Sequence, residues 1–362
     1  MMMIKINQLT PALHKNDAVG ESIQQIQQTT KSWGCESNVF SPTIDEPLKE
    51  ICRQMKDFAE FDSEDSINIL HFAVPSPLTD LFKKSKGKKI LIYHNITPPE
   101  FFKGVNEEMV HIASVGRQEL AALAECNNLA LGDSEFNENE LKEMGYKYTG
   151  VFPILLNPER YKYNTLAPLE EMFCSKDHIN LLFVGRITPN KKIEDVIKVF
   201  YYFKNIFCQD SRLIIVGNPA KFENYDKFLK DFVNKLELLD VYFTGKVDQQ
   251  ELVTYYSLSD VFITMSEHEG FCVPILESFF FKLPVVAFNS TAIPYTMGDG
   301  GILVNKKSYR KIAGIINELN NNKKLHDSII KNQKKQLHKF SPEKIKKTLK
   351  QILTGNDWKI SI

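Results

Sequence analysis

Apolar and polar positions along this chain alternate between two spacings. Short runs rich in β-branched and aromatic residues are followed by longer stretches whose apolar positions recur at helical intervals. In the first half the short runs are Ile4–Leu9, Asn38–Ser41, Ile67–Val74, Ile90–His94, Leu129–Asp133 and Gly150–Leu156. In the second they are Ile179–Gly185, Leu213–Gly217, Val241–Gly245, Val261–Ser266, Pro284–Phe288 and Gly301–Val304. Strands separated by helical stretches predict parallel sheets covered on both faces. The alternation breaks near residues 157–178, where Pro, Asn and charge mix without an apolar period. That break argues for two doubly wound α/β domains rather than a barrel, which needs eight uninterrupted units. The expected division is a first domain over 1–160, a linker over 161–178 and a second domain over 179–340. The last stretch, 341–362, reads as a helix with Ile345, Leu349 and Ile352 on one face and Trp358 beyond.

The length, 362 residues, suits two such domains. Lys plus Arg and Asp plus Glu balance at 45 each, which gives no reason to expect nucleic acid as a partner. The 6 cysteines are scattered, without a C-x-x-C pair, as in reduced thiols of a cytoplasmic protein. The N-terminus lacks the apolar core of a signal peptide, and no apolar run approaches the ~20 residues that cross a bilayer.

Candidate chemistry concentrates in two segments. In SEHEGFCVPILE, Ser266 to Glu277, seven residues separate Glu269 from Glu277. The run VFITMS before them predicts a strand, and PILESFFFKLP a helix opening at Pro274. Glu269, Gly270, Phe271 and Cys272 then occupy the strand-to-helix turn at the carboxyl edge of a sheet, where ligands of open α/β folds bind. Helix-terminal N–H groups attract a diphosphate there, and two carboxylates accept from sugar and ribose hydroxyls. In LLFVGRITPNKKIEDVI, Arg186 and Lys191 follow a strand on the same kind of loop, and two cations there would neutralise a diphosphate. Taken singly, either segment could equally be a solvated loop.

Together the segments carry a resemblance. Arg186…Lys191 followed by Glu269-x7-Glu277, with RLIIVGN, VYFTGKV, YYSLSDVFITMS, LPVVAF and GGILV in order, resembles the retaining GT-B glycosyltransferases of family 4. The fold this implies is α/β, GT-B: two Rossmann-like parallel-sheet domains facing a central cleft, the last helix crossing back onto the first domain. The resemblance implies that Arg186 and Lys191 hold the donor diphosphate with Gly270, Phe271 and Cys272 near it. It implies that Glu269 contacts the transferred sugar, that Glu277 binds the ribose and that Gly245, Lys246 and Val247 lie beside the base. In the first half it implies a catalytic-side His94 near the sugar, with Asn95 on the acceptor side. Gly20 would approach the donor phosphates; Asp17 could contact the acceptor or cap a helix. Tyr295 stands where the family usually has glutamate.

The activity so implied is transfer of a hexose, first mannose from GDP-mannose and next a UDP-hexose, to a glycan, lipid-linked or small hydroxyl acceptor. Anomeric configuration would be retained. No D-x-D pair ends a strand, so no metal or other cofactor is expected, and the DSED run at 62–65 reads as a turn. Two alternatives stay open: a sugar-nucleotide epimerase of the same architecture, and a non-catalytic nucleotide-sugar-binding protein. A dinucleotide-dependent dehydrogenase is disfavoured, because no strand leads into G-x-G-x-x-G. The lysine-rich LFKKSKGKK, residues 81–89, is either a solvated loop or a contact with anionic lipid at the inner membrane face. The run Lys331 to Lys350 carries the same two readings. Oligomeric state is not legible.

Overall fold

The computed structural model describes residues 4–15, 17–174 and 178–355. Contacts divide the chain into two compact units. Unit 1 comprises residues 1–99, 108–157 and 340–362; unit 2 comprises 100–107 and 158–339.

Unit 1 runs β1 (Lys5–Leu9), α1 (Ala18–Ser32), β2 (Glu36–Ser41), β3 (Arg53–Gln54), β4 (Ser66–Phe72), α2 (Leu78–Lys84) and β5 (Lys88–Tyr93). It continues with α3 (Glu107–Ala122), β6 (Leu129–Gly132), α4 (Glu135–Glu143) and β7 (Thr149–Val151). The seven strands form one sheet in the order β3-β2-β1-β4-β5-β6-β7, every pairing parallel. Parallel strands need a crossover, and right-handed helical crossovers cover both faces, which is why the strands read as nearly continuous apolar runs. Two-residue β3 has no such run and could not be seen in the sequence.

Unit 2 runs α5 (Ala167–Phe173), β8 (Ile179–Val184), α6 (Ile193–Ile206), β9 (Ser211–Val216), α7 (Glu223–Lys235), β10 (Val241–Gly245), α8 (Gln249–Ser257) and β11 (Val261–Thr264). Then come α9 (Val273–Phe280), β12 (Val285–Phe288), α10 (Ile293–Met297), β13 (Ile302–Val304), α11 (Tyr309–Asn321) and α12 (Lys323–Lys339). Its six strands are ordered β10-β9-β8-β11-β12-β13, again all parallel.

One feature differs from the sequence-based expectation. The segment 161–178 does more than link. Its described part belongs to unit 2, buries Tyr161 and Phe173, and forms α5, docked where the Leu166 amide donates to Thr254 Oγ1 at 3.1 Å. Its apolar contacts are too few and too unevenly spaced to show as a period. The final helix, α13 (Pro342–Thr354), buries Ile345, Leu349, Ile352 and Leu353 in one cluster with Ile6, Ile26, Ile67, Ile90 and Leu129 of unit 1. Residues 356–362, with Trp358, lie outside the described residues.

Candidate functional site

The strand order of unit 2 reverses between β8 and β11. Connections leave β8 toward β9 on one side and β11 toward β12 on the other, so the loops at their carboxyl ends part and leave a crevice. Open α/β sheets bind ligands at such a switch point. The two loops that flank it are the two candidate segments: Gly185–Lys192 after β8 and Met265–Cys272 after β11.

Hydrogen bonds stitch these loops together. Asn190, buried in the turn Pro189–Lys191, donates from Nδ2 to the His268 carbonyl at 2.9 Å and accepts at its own carbonyl from the Glu267 amide at 2.9 Å. Thr188 Oγ1 donates to Asn190 Oδ1, which fixes the amide's orientation. Lys191 Nζ then meets Glu269 Oε2 at 2.6 Å, with the side chains 17% and 8% exposed. Lys192 adopts the left-handed conformation, φ 49°, and starts α6. The close approach of strand ends here demands glycine: a Cβ on Gly217 would lie 1.8 Å from the Gly185 carbonyl oxygen.

The β11 loop turns into α9 through Cys272, left-handed at φ 67°, whose side chain does not cap the helix. The Ile275 amide donates to the Cys272 carbonyl at 3.1 Å, and the first turn of α9 carries the positive end of the helix dipole. Burial, reinforced by Glu269, holds the Cys272 thiol well above its ordinary range, so it stays protonated and is no nucleophile. Thr291 Oγ1 anchors the turn from the other side, accepting from the Glu269 amide at 2.8 Å and donating to its carbonyl at 2.9 Å.

Lys191 and Glu269 are thus brought into direct contact, and Arg186 sits on the same loop as Lys191. Arg186 is exposed, and its guanidinium makes no hydrogen bond or ion pair among the described residues. Glu277 is held separately. It is 5% exposed on α9, and its oxygens accept from Tyr161 at 3.1 Å and Tyr256 at 2.8 Å. Tyr161 and Tyr256 went unnoticed in the sequence: Tyr161 lies in the unperiodic 157–178 stretch, and Tyr256 reads as an ordinary inward helix residue. Gly245 ends edge strand β10 at φ 72°, with open space where a Cβ would stand; Lys246 beyond it is exposed and Val247 half-buried. Tyr295 is exposed on α10.

In unit 1 the order reverses between β1 and β4. After β1, Asp17 caps α1, its Oδ2 accepting from the Gly20 amide at 2.9 Å. Capping is one of the two roles open for Asp17 from the sequence. Gly20 is buried, and a Cβ there would lie 2.9 Å from the His14 carbonyl oxygen.

His94, expected to face a sugar, lies at the end of β5 with its side chain 3% exposed and both ring nitrogens engaged. Its Nδ1 meets Asp133 Oδ2 at 2.9 Å, and its Nε2 meets His71 Nδ1 at 2.9 Å. His71 Nε2 in turn meets Gln8 Oε1 at 3.0 Å. Gln8 Nε2 donates to the Ile23 carbonyl, so Oε1 must accept, and His71 is the Nε2–H tautomer. His71 Nδ1 then accepts from His94 Nε2–H, and His94 Nδ1 faces the Asp133 carboxyl. Burial, then the neighbouring His94, holds His71 well below the usual imidazole range. Burial pushes Asp133 up against the opposing pull of His94. Asn95, at φ 72°, donates from Nδ2 to Asn137 Oδ1 and Glu140 Oε2, both at 3.0 Å.

Residues 173–336 match the family model "Glycosyl transferases group 1". Among relatives of the chain, O-antigen chain mannosyltransferase B of Escherichia coli is 32% identical over 139 residues, 37% of this chain and 35% of that protein. An uncharacterised 41.2 kDa protein in the cps region of Klebsiella pneumoniae is 30% identical over 160 residues, 43% of this chain and 40% of that protein. The match thus spans about two-fifths of these relatives' length. Over nearly the whole chain the fold is that of Anabaena HepE in complex with UDP and glucose, at a TM-score of 0.74 and 16% identity, covering 97% of this chain and 99% of that one. The two parallel-sheet domains are those of GT-B glycosyltransferase structures. The group 1 match contains both loops of the switch point, Glu277 and Tyr256.

Proposed function

We propose that this chain is a retaining glycosyltransferase that takes a hexose from a nucleotide diphosphate donor, with GDP-mannose first and a UDP-hexose next. The acceptor is a hydroxyl on a glycan, a lipid-linked saccharide or a small molecule. The observation that carries the reading is the contact of Lys191 with Glu269 across the β8–β11 switch point, beside unengaged Arg186 and the amide end of α9. The mannosyltransferase among the relatives supports the first donor, and the UDP and glucose bound to the Anabaena protein support the second.

In this reaction the bond from the anomeric carbon to the β-phosphate oxygen breaks. The acceptor oxygen bonds to the same face of the sugar, and its proton passes to the departing phosphate oxygen. Positive charge builds on the sugar ring and negative charge on the diphosphate. Arg186, Lys191 and the α9 amides stabilise the second, a role in which fixed charges and dipoles act strongly because they need no reorganisation. Glu269 lies near the developing positive charge and is itself held by Lys191. Glu277, fixed by two tyrosines, keeps lone pairs for a ribose hydroxyl. The cations supply the charge that a metal supplies in other transferases, so the reading needs no metal or other cofactor.

The test is a panel of GDP-mannose, UDP-glucose, UDP-galactose and UDP-N-acetylglucosamine, scored by thermal shift and slow donor hydrolysis, with Glu269→Gln alongside. One donor should stabilise the wild type and be hydrolysed, and the variant should lose hydrolysis while staying folded. If no nucleotide sugar shifts or is consumed, the reading is wrong. Conversion of UDP-N-acetylglucosamine to an isomer without acceptor would replace it with an epimerase. A cytoplasmic setting and a contact with anionic lipid belong to the same proposal. Among the described residues no helix is long and apolar enough to cross a membrane. Because Phe82 is fully buried, the 81–89 patch presents its lysines without that ring, so any docking there is mainly electrostatic.

A further inference from the structure

The loop after β13 carries a lysine that nothing above uses. Lys307 Nζ lies 2.8 Å from Asp195 Oδ2 and 2.7 Å from Glu267 Oε1, and 4.8 Å from the centre of the Phe288 ring. Its side chain is 15% exposed, and Asp195 is buried in the first turn of α6. Asp195 Oδ1 also accepts from Lys198 at 2.9 Å and from Tyr309 at 2.7 Å. Glu267 has fewer partners: its second oxygen is 3.6 Å from Lys192, and its amide donates to Asn190. One ammonium therefore joins the first turn of α6 to the loops that follow β11 and β13. Glu267 is two residues before Glu269, inside the turn that Lys191 reaches.

We propose that Lys307 is a positioning residue for the nucleotide-sugar site: by holding Glu267 it fixes the Ser266–Cys272 turn, and with it Glu269, where Lys191 meets it. This inference rests on the donor-site reading of that turn. The charges explain why the lysine is needed. Asp195 and Glu267 approach one another through Lys307, and without a cation between them two carboxylates would repel. Burial alone would push the Asp195 carboxyl up, but bonds from Lys307, Lys198 and Tyr309 outweigh it and hold it below its ordinary range. Loss of Lys307 leaves Asp195 with Lys198 and Tyr309, so α6 stays anchored. Among the described residues it leaves Glu267, 36% exposed, with only the more distant Lys192 as a side-chain partner, so the turn loosens while the fold persists.

Three variants test this: Lys307→Met, which keeps an apolar stem over Phe288; Lys307→Arg, which restores the charge; and Glu267→Gln. Donor KM and kcat, GDP and UDP binding by calorimetry, and amide hydrogen exchange over residues 266–272 are measured on the full chain. Lys307→Met should weaken nucleotide binding and raise donor KM by about tenfold to a hundredfold, the scale of a small misplacement. Exchange in the turn should quicken, with the thermal midpoint little changed. Lys307→Arg should recover most of the loss. Glu267→Gln should reproduce it, and the double variant should be no worse than either single one. Wild-type KM and wild-type exchange in Lys307→Met, or fully additive effects in the double variant, overturn the proposal. If the wild type binds no nucleotide sugar, the functional reading fails instead, and the exchange measurement still decides whether Lys307 holds the turn.

Discussion

Replacing Tyr256 with Phe removes one oxygen from a buried cluster and little else. The hydroxyl donates to Glu277 Oε2 at 2.8 Å, while the ring stacks on Phe281 with centroids 5.2 Å apart and planes 2° from parallel. The phenyl ring keeps that stacking, and Glu277 keeps its bond from Tyr161. The expected loss is therefore one hydrogen bond to a charged acceptor, about 1.5–3 kcal/mol. For unit 2 this corresponds to a fall of several degrees in the thermal midpoint. Differential scanning calorimetry or urea unfolding at neutral pH measures it. A second, independent signature lies at alkaline pH. Burial, then Glu277, raises the Tyr256 phenol well above its ordinary pKa near 10. The unfolded chain ionises first, so the stability this tyrosine contributes is complete below about pH 10 and declines as pH rises beyond it. The gap between wild type and Tyr256→Phe should therefore narrow above that pH. A variant within about 0.5 kcal/mol of wild type, as at an ordinary surface site, would refute the reasoning. So would a gap that stays constant through pH 11.

Other outcomes follow from the same structure. Lys191→Met should lower kcat by about 10²–10³ if its charge acts on the leaving diphosphate, and Arg186→Met should act in the same direction; steady-state kinetics with the preferred donor checks both. His71 is held neutral, its folded pKa depressed, so its contribution is present above the unfolded value near 6.5 and is lost as pH falls below it. His71→Gln should flatten the fall in thermal midpoint between pH 6.5 and 4.5, read by a melt series. Flotation with anionic vesicles should be salt-sensitive and reduced by Lys83→Glu with Lys84→Glu; equal flotation with neutral vesicles would dismiss the electrostatic contact.

The alternation of strand and helix was legible in this sequence because both periods are local: a run buried on two faces must be apolar, and its crossover helix must show a stripe. The same local logic located the Arg186–Lys191 and Glu269–Cys272 loops at strand ends, since Gly185 and Ser266 close apolar runs, Pro189 opens a turn and Pro274 opens a helix. What the sequence could not determine was which loops are neighbours. Lys191 and Glu269 are 78 residues apart and touch only because β11 lies beside β8, an order decided by the packing of the whole sheet. Tyr161 reaches Glu277 across 116 residues from a stretch with no period at all. His94 stands at the end of an apolar run, yet its ring nitrogens meet Asp133, after β6, and His71, in β4, which in turn meets Gln8 in β1. No local pattern marks Lys307, whose partners Asp195 and Glu267 come from two other segments. Burial patterns follow from residues a few positions apart, whereas the partners of a charge depend on tertiary neighbours that no local spacing encodes.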